Sequence, residues 1–210
     1  MLKILIADDF PLYRRGVKEL LVDGIGEVTV GECGNAYDLL ELVRLKKWDL
    51  VILDITMPGT TGTEALSQLK SKFPKLPVLV LSMHPEDQYA VRMFKAGADG
   101  YLVKASAPEE LVKAIKKLLG GGQYVSPALA ETLAVTLKVD TGDNPHAQLS
   151  DREYEVMCLI ASGKAVSEIA ETLHLGVTTV STYRARILEK MNLKNNAELI
   201  RYALQRGLVS

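Results

Sequence analysis

Five short strand-like segments, most of them largely apolar, divide the first 120 residues. They are Lys3–Ala7, Val28–Cys33, Leu50–Leu53, Pro77–Leu81 and Asp99–Val103. Continuous apolar runs of this length are typical of strands buried on both faces of a sheet. The segments between them have apolar residues at helical spacing. They predict a helix opened by Pro11 and further helices over Ala36–Lys46, Glu64–Lys72, Glu86–Ala96 and Pro108–Leu119. This alternation predicts an α/β domain with a five-stranded parallel, doubly wound sheet.

From Leu149 the pattern changes to helices only. Ser150 followed by Glu153 has the spacing of a capping box. The predicted helices are Asp151–Ser162, Ser167–Leu173, Val177–Asn192 and Asn196–Gln205. A short helix, a tight turn that contains Gly176 and a longer helix are the features of a helix-turn-helix. A small all-α domain is therefore expected to follow the sheet domain.

The pattern divides the chain into residues 1–120, 121–147 and 148–210. The middle segment is expected to be a linker with a helical part, because Ser126-Pro127 resembles a helix start. Thr141–Ala147 is polar and turn-rich, which favours a mobile connection. In that connection His146 is interpreted as a solvated residue rather than a ligand. His84 is interpreted as a loop residue rather than a catalytic one.

Composition excludes several classes of protein. The chain is 48% hydrophobic and 24% charged, as in ordinary globular proteins, and its net charge of −1 gives no global sign of nucleic-acid binding. No apolar run is long enough to span a bilayer, and the N-terminus lacks a signal-peptide pattern. Cys33 and Cys158 match no metal-binding spacing and are interpreted as buried thiols. A cytoplasmic protein without a membrane partner is expected.

Polar residues follow four of the five predicted strands. They are Asp8 and Asp9, Asp54, Ser82 and Lys104. In open α/β sheets ligands bind in the crevice at the carboxyl ends of the strands, so we expect these side chains to lie close together. Each one alone has a structural explanation, such as a turn or a helix cap. Their joint occurrence favours a functional site.

The chemistry of this group points to phosphoryl transfer. Three carboxylates in one crevice raise each other's pKa unless a cation lies among them, and oxygen ligands favour Mg²⁺. Asp54 is then a nucleophile that forms an aspartyl phosphate. Lys104 and Ser82 can bind phosphoryl oxygens. No glycine-rich nucleotide loop is present, so neither ATP nor NAD is the expected small molecule.

The predicted helix Val177–Asn192 has two different faces. At ~100° per residue its apolar positions Val180, Ile187 and Met191 share one side. The opposite side carries small and hydroxyl residues between two arginines, namely Thr178, Ser181, Thr182 and Ala185 with Arg184 and Arg186. Over Val177–Asn195 four Lys/Arg and one Asp/Glu give 4 − 1 = +3. Such a face can enter a major groove and contact phosphates and base edges.

The first 120 residues resemble the receiver domain of bacterial response regulators, which has a flavodoxin-like fold. The resemblance rests on Asp8-Asp9, on Asp54 with Met57-Pro58-Gly59, on Ser82 and on the run Lys95–Lys104. It implies that Asp54 is the phosphoacceptor and that Lys104 binds the phosphoryl group. It also implies a Mg²⁺ site made by Asp8, Asp9, Asp54 and the Thr56 carbonyl, with Asp9 the more direct ligand. Ser82 and Tyr101 correspond to the family's switch pair.

The segment Leu149–Ser210 resembles the LuxR-type helix-turn-helix. The resemblance rests on Leu149–Glu153, Ser167–Ala170, Thr179–Tyr183 and Lys190-Met191. The two resemblances together are those of the NarL/FixJ class of response regulators. They imply a sensor histidine kinase, double-stranded promoter DNA and a second copy of the chain as partners. The implied DNA-binding residues are Thr178, Thr179, Ser181, Thr182, Arg184, Ala185, Arg186 and Lys190.

Two alternatives stay open at this point. The first is a regulator whose receiver is only a scaffold, controlled by a small ligand or a protein partner. The second is a haloacid-dehalogenase-like phosphatase, which also uses a strand-end Asp nucleophile. That chemistry usually needs a second acid two residues after the nucleophile, where this chain has Thr56. The expected protein is therefore not an enzyme but a transcription factor that is controlled by phosphorylation.

Overall fold

The chain forms two compact units, Met1–Leu137 and Lys138–Ser210. The computed structural model of the protein describes residues 1–57, 62–83, 86–126, 129–130 and 145–209. His84, Pro58-Gly59 and the greater part of the predicted linker, including most of its helical part, lie outside these residues.

The first unit is a five-stranded parallel sheet in the order β2-β1-β3-β4-β5. Its strands are β1 (Leu2–Ala7), β2 (Val28–Cys33), β3 (Leu50–Asp54), β4 (Val78–Ser82) and β5 (Gly100–Val103). Its helices are α1 (Pro11–Ile25), α2 (Ala36–Leu45), α3 (Gly62–Lys72), α4 (Glu86–Lys95) and α5 (Pro108–Leu119). The predicted alternation of strands and helices is confirmed, with ends displaced by one or two residues.

Strand register brings the predicted polar residues to one edge of the sheet. Ala7 lies beside Leu53 in the pairing of β1 with β3, and Asp54 lies beside Leu81 in the pairing of β3 with β4. The residues that follow these strands therefore leave the core side by side. All residues of β3 and β4 are buried, as their uninterrupted apolar sequences predicted.

Two leucines of the helices lie on the surface, although the apolar pattern of Ala36–Lys46 predicts that Leu45 faces inward. Leu12 is 83% exposed and Leu45 is 66% exposed. The buried stripe of α2 contains Leu39 and Val43, four residues apart, and Leu45 lies about 200° around the helix from Val43. By the same rotation per residue, Leu12 lies on a different side of α1 from Val17, which is buried. Both helices contain more apolar residues than they have positions that face the sheet.

The described part of the second unit contains a 3-10 helix, Pro145–Gln148, followed by four α-helices. These are α6 (Asp151–Ala161), α7 (Val166–Thr172), α8 (Val177–Lys190) and α9 (Asn196–Gln205). The capping box is present, because Ser150 N donates to Glu153 Oε2 at 2.8 Å and Glu153 N donates to Ser150 Oγ at 3.3 Å. Val180 and Ile187 are buried on the inner side of α8, as predicted.

His146 is not a solvated linker residue, so that interpretation was wrong. Its Nδ1 lies 2.6 Å from the hydroxyl oxygen of Tyr202, and its ring centroid is 6.1 Å from that of Tyr154. The 3-10 helix folds the end of the predicted linker onto the helical unit, which partly buries the imidazole.

The start of the linker is attached to the first unit. Tyr124 forms a parallel bridge with Gly100 of β5. Leu129 N donates to Ser126 Oγ at 3.1 Å, which is the contact expected of the helix start predicted there. Cys33 and Cys158 are buried thiols, as predicted. Within the described part of the chain no helix has the length and apolar character needed to cross a membrane.

Candidate phosphoacceptor and nucleic-acid interface

Three carboxylates meet at the edge of the sheet. Asp8 and Asp9 follow β1 and Asp54 ends β3, and each offers an oxygen within 4.8 Å of the others. Asp8 and Asp54 are buried, whereas Asp9 is partly exposed. The close grouping predicted from the strand ends is therefore present in the structure.

Lys104 lies between two of these acids. Its Nζ is 2.6 Å from Asp8 Oδ2 and 2.7 Å from Asp54 Oδ2, and its side chain is 5% exposed. Burial opposes the charge of this ammonium, but hydrogen bonds and Coulombic attraction from Asp54 and Asp8 outweigh it and raise the pKa of Lys104. The ring of Tyr13, with its centroid 4.6 Å from Nζ, covers one side of the cation.

The surroundings of Asp8 act on its pKa in opposite directions. Burial raises the pKa of Asp8, and the hydrogen bonds from Lys104 and from Phe10 N offset this effect only in part. The charge of Asp54 acts in the same direction as burial. Asp8 and Asp54 share the single ammonium of Lys104. When all three acids are ionised, the cluster therefore has more negative than positive groups.

Asp9 has the feature expected of a metal ligand. Its Oδ1 is buried and has no hydrogen-bond partner among the residues that the structure describes. Buried polar atoms normally have a partner, so an unpaired carboxylate oxygen beside two other carboxylates fits a hard cation that prefers oxygen ligands. This donor set could hold Mg²⁺.

Thr56 makes a contact that the sequence interpretation missed. Its hydroxyl lies 2.7 Å from Asp54 Oδ1 and 2.9 Å from Asp54 Oδ2, and its backbone N donates to Oδ1 at 3.0 Å. Only the carbonyl of this residue was predicted to take part. A hydroxyl cannot act as a second carboxylic acid, so this geometry does not favour the phosphatase alternative.

Ser82 and Tyr101 occupy the neighbouring strands. Both are fully buried. In the register of β4 and β5, Ser82 lies beside Val103 and Tyr101 lies beside Val80. Lys104 N donates to the Ser82 carbonyl at 2.7 Å, so the end of β4 is bonded directly to the residue that carries the buried ammonium.

The second group of predicted residues lies on one exposed face of α8. Those that are exposed are Thr178, Thr179, Ser181, Thr182, Ala185, Arg186 and Lys190. The hydroxyl of Ser181 donates to the Val177 carbonyl at 2.9 Å, and that of Thr182 donates to the Thr178 carbonyl at 3.0 Å. Both oxygens can still accept hydrogen bonds from outside the helix.

Two of the predicted basic residues are bound within the unit. Arg184 Nε donates to Asn196 Oδ1 at 2.7 Å, and Lys190 Nζ lies 2.6 Å from Glu153 Oε2. Burial would raise the pKa of Glu153, but the contacts with Lys190 and Ser150 outweigh it and lower this pKa. Asn196 and Glu153 were missed because they are 12 and 37 residues away along the chain. In the described part of the chain, Arg186 forms no salt bridge.

Comparison with known proteins identifies both units. Residues 4–116 match the family described as the response regulator receiver domain, and residues 147–203 match the family described as bacterial regulatory proteins, luxR family. The response regulator GacA of Pseudomonas aeruginosa is 37% identical over 210 residues, which cover 100% of this chain and 98% of GacA. The response regulator UvrY of Escherichia coli is 34% identical over 209 residues, which cover 99% of this chain and 96% of UvrY.

A solved relative shows the same fold. RcsB from Salmonella enterica serovar Typhimurium, bound to a promoter in the presence of the phosphomimetic BeF3−, has a TM-score of 0.58 and is 27% identical. The similarity covers 96% of this chain and 98% of RcsB. Another structure of RcsB contains two dimers bound to two parallel DNAs. Because both family matches agree with the geometry of their units, the chain belongs to the response regulators of the NarL/FixJ class, with a receiver domain followed by a LuxR-type helix-turn-helix.

Proposed function

We propose that Asp54 accepts a phosphoryl group from a sensor histidine kinase and that this modification controls dimerisation and the binding of promoter DNA by α8. The observation that supports this proposal most strongly is the arrangement of side chains around Asp54. Its carboxylate is buried at the end of β3, bonded to Lys104, and lies beside Asp9, whose Oδ1 has no partner among the described residues.

The residues around Asp54 suit the reaction in distinct ways. An oxygen of Asp54 forms a bond to phosphorus while the bond from phosphorus to the donor's histidine nitrogen breaks. Lys104, now 2.7 Å from Asp54 Oδ2, is close enough to pair with an oxygen of the transferred group, and the Ser82 hydroxyl is a further donor at the same edge.

The same edge would hold the metal. Asp8, Asp9 and Asp54 with the Thr56 carbonyl would bind Mg²⁺. When bound, Mg²⁺ offsets the negative charge that gathers on the phosphoryl oxygens. Asp9 is the stronger candidate for direct ligation, since Asp8 is already engaged with Lys104 and Phe10 N. Lys104 has to share Asp8 and Asp54 with that cation.

The DNA-binding part of the proposal is supported by the exposed face of α8. Thr178, Thr179, Ser181, Thr182 and Ala185 are small enough for close approach to base edges, and Arg186 is free to contact a phosphate. Arg184 and Lys190 have internal partners and would need to share them with DNA. The DNA-bound dimers of RcsB support double-stranded promoter DNA and a second copy of this chain as partners.

The domain division and the location complete the proposal. We place the receiver in residues 1–120, a linker in residues 121–147 and the helix-turn-helix domain in residues 148–210. A regulator that meets both a kinase's cytoplasmic portion and the chromosome acts in the cytoplasm. The absence of an enzymatic role remains a prediction.

The test compares the full-length protein with Asp54→Asn. Treatment with acetyl phosphate and Mg²⁺ should add one acid-labile phosphoryl group to the wild type and none to the variant, measured by intact-mass spectrometry. At one fixed salt concentration the phosphorylated wild type should bind promoter DNA about tenfold more tightly, a difference of ~1.4 kcal/mol. Phosphate on Asp54→Asn would refute the acceptor assignment. Phosphorylation without a change in DNA affinity would favour the scaffold alternative.

A further inference from the structure

Arg14 lies behind the acidic group rather than within it. It is in the first turn of α1, and its side chain is only 16% exposed. Its Nη1 donates to the backbone carbonyl of Asp8 at 2.5 Å, and its Nε donates to Glu32 Oε2 on β2 at 3.3 Å. The guanidinium thus connects the loop after β1 to the neighbouring strand.

The bond to the Asp8 carbonyl acts on Asp9 through the backbone. The carbonyl of Asp8 and the N–H of Asp9 belong to one planar peptide unit. Holding that carbonyl fixes the rotation of the unit, and this rotation sets where the Cα of Asp9 lies and where its carboxylate can reach. Asp8 N also donates to the Cys33 carbonyl at 3.1 Å, so the loop is held from both sides of Asp8.

Glu32 completes the arrangement. It binds Arg14 through Oε2 and approaches Lys18 Nζ at 3.6 Å through Oε1. The side chain of Glu32 is 35% exposed, so its ion pairs alone contribute little to stability. Its contribution is geometric, because it keeps the Arg14 fork pointed at the Asp8 carbonyl.

We propose that Arg14 is a positioning residue for the metal site. By holding the Asp8–Asp9 peptide unit, it fixes where the carboxylate of Asp9 lies. This inference rests on the proposed Mg²⁺ site. Hydrogen-bonding groups one layer behind metal ligands orient those ligands, and their loss typically costs about 10–100-fold in metal affinity. Because Arg14 touches the backbone of a ligand and not the phosphoryl site, its loss should affect metal binding more than the chemical step.

The experiment measures metal binding by the full chain with Mn²⁺ as the probe. Electron paramagnetic resonance counts free Mn²⁺, and Mg²⁺ competition then gives the Mg²⁺ affinity. The variants are Arg14→Met, Arg14→Lys and Glu32→Gln. The matched control is Lys18→Met, which removes the other cation that approaches Glu32 and leaves the Arg14 bonds in place. Asp9→Asn serves as the reference for a lost ligand.

We expect Arg14→Met to weaken Mn²⁺ and Mg²⁺ binding about tenfold, and Lys18→Met to leave both unchanged. Arg14→Lys and Glu32→Gln should fall between wild type and Arg14→Met, and they keep the test valid if Arg14→Met does not fold. With acetyl phosphate, the Mg²⁺ concentration for half-maximal phosphorylation should rise about tenfold while the saturating rate stays the same.

The possible results separate this inference from the proposed function. If the wild type binds no Mn²⁺ and Asp9→Asn behaves identically, the metal site itself is refuted. If Asp9→Asn weakens binding but folded Arg14 variants match the wild type, the metal site stands and the role of Arg14 is overturned. An equal loss in Lys18→Met would also overturn it, because the effect would then follow from surface charge alone.

Discussion

Lys104 and Lys190 make the same kind of contact in very different surroundings. Each ammonium lies 2.6 Å from a carboxylate oxygen, of Asp8 in the receiver unit and of Glu153 in the helical unit. The side chain of Lys104 is 5% exposed, whereas that of Lys190 is 41% exposed. Lys104 also binds a second acid, Asp54.

This difference in exposure means that the two ion pairs have different roles at their functional surfaces. At the sheet edge the charged groups are removed from water, so each needs the others and a change in one alters all of them. On α8 the ammonium of Lys190 is partly exposed although Glu153 is buried, and the pair contributes less than one closed off from water. It serves instead to dock the end of the helix, while the hydroxyl face and Arg186 remain available to a partner. Substitutions can test this contrast directly.

The largest effect is expected when the two lysines are replaced in turn and the losses in free energy of unfolding are compared. Lys104→Met leaves two buried carboxylates without their cation and should lower the free energy of unfolding of the receiver by about 3 kcal/mol in the absence of Mg²⁺. Lys190→Met should cost about 0.2–1 kcal/mol in the helical unit. Urea unfolding followed by Trp48 fluorescence reports the first unit, and circular dichroism reports both. Equal losses would show that exposure does not separate the two pairs.

The two acids after β1 should differ in their effect on the metal. Asp9→Asn should weaken Mg²⁺ binding by tenfold or more, about 1.4 kcal/mol, because it removes the oxygen that has no other partner in the described residues. Asp8→Asn should weaken it less, since Asp8 is already bonded to Lys104. Metal titration of the full chain measures both. A stronger effect of Asp8→Asn would reverse the assignment of the direct ligand.

The ion pair of the helical unit should have a defined pH dependence. The folded-state pKa of Glu153 is lowered, so its contribution is present above the ordinary value of 4.5 and is lost as the pH falls through the folded-state pKa. Glu153→Gln keeps a side chain that can cap the helix and removes the charge. At pH 7 it should cost about 1 kcal/mol, and the difference from wild type should shrink below pH 4.5. A loss that is independent of pH would refute the ionic contribution.

The smallest effect should appear in the salt dependence of DNA binding. Arg186→Ala should flatten the slope of log affinity against log salt by roughly one, as expected for one lost phosphate contact. Lys190→Ala should change the slope less, because Glu153 already holds that ammonium. Changes at Ser181 or Thr182 should alter sequence preference instead. Equal slopes for wild type and Arg186→Ala would exclude a phosphate contact at this position.

Sequence periodicity was sufficient for the parts of the protein that depend on local geometry. Short, largely apolar segments identified the strands, and parallel pairing then required Asp8, Asp54 and Lys104 to lie at one edge. The rotation of 100° per residue likewise separated Val180 and Ile187 from the exposed face of α8. The inward prediction was wrong at Leu45, whose position on the helix places it at the surface although it is apolar.

Tertiary structure decided which polar groups become partners. The bond of Arg14 to the Asp8 carbonyl, the pairing of Lys190 with Glu153 and the contact of His146 with Tyr202 join residues whose spacing carries no periodic signal. Long polar side chains can reach several neighbours, and burial selects the one that satisfies both groups at the lowest desolvation cost. The sequence therefore determined where the acids and the exposed helix face lie. Only the packed fold determined which cations the acids hold and which remain available to DNA.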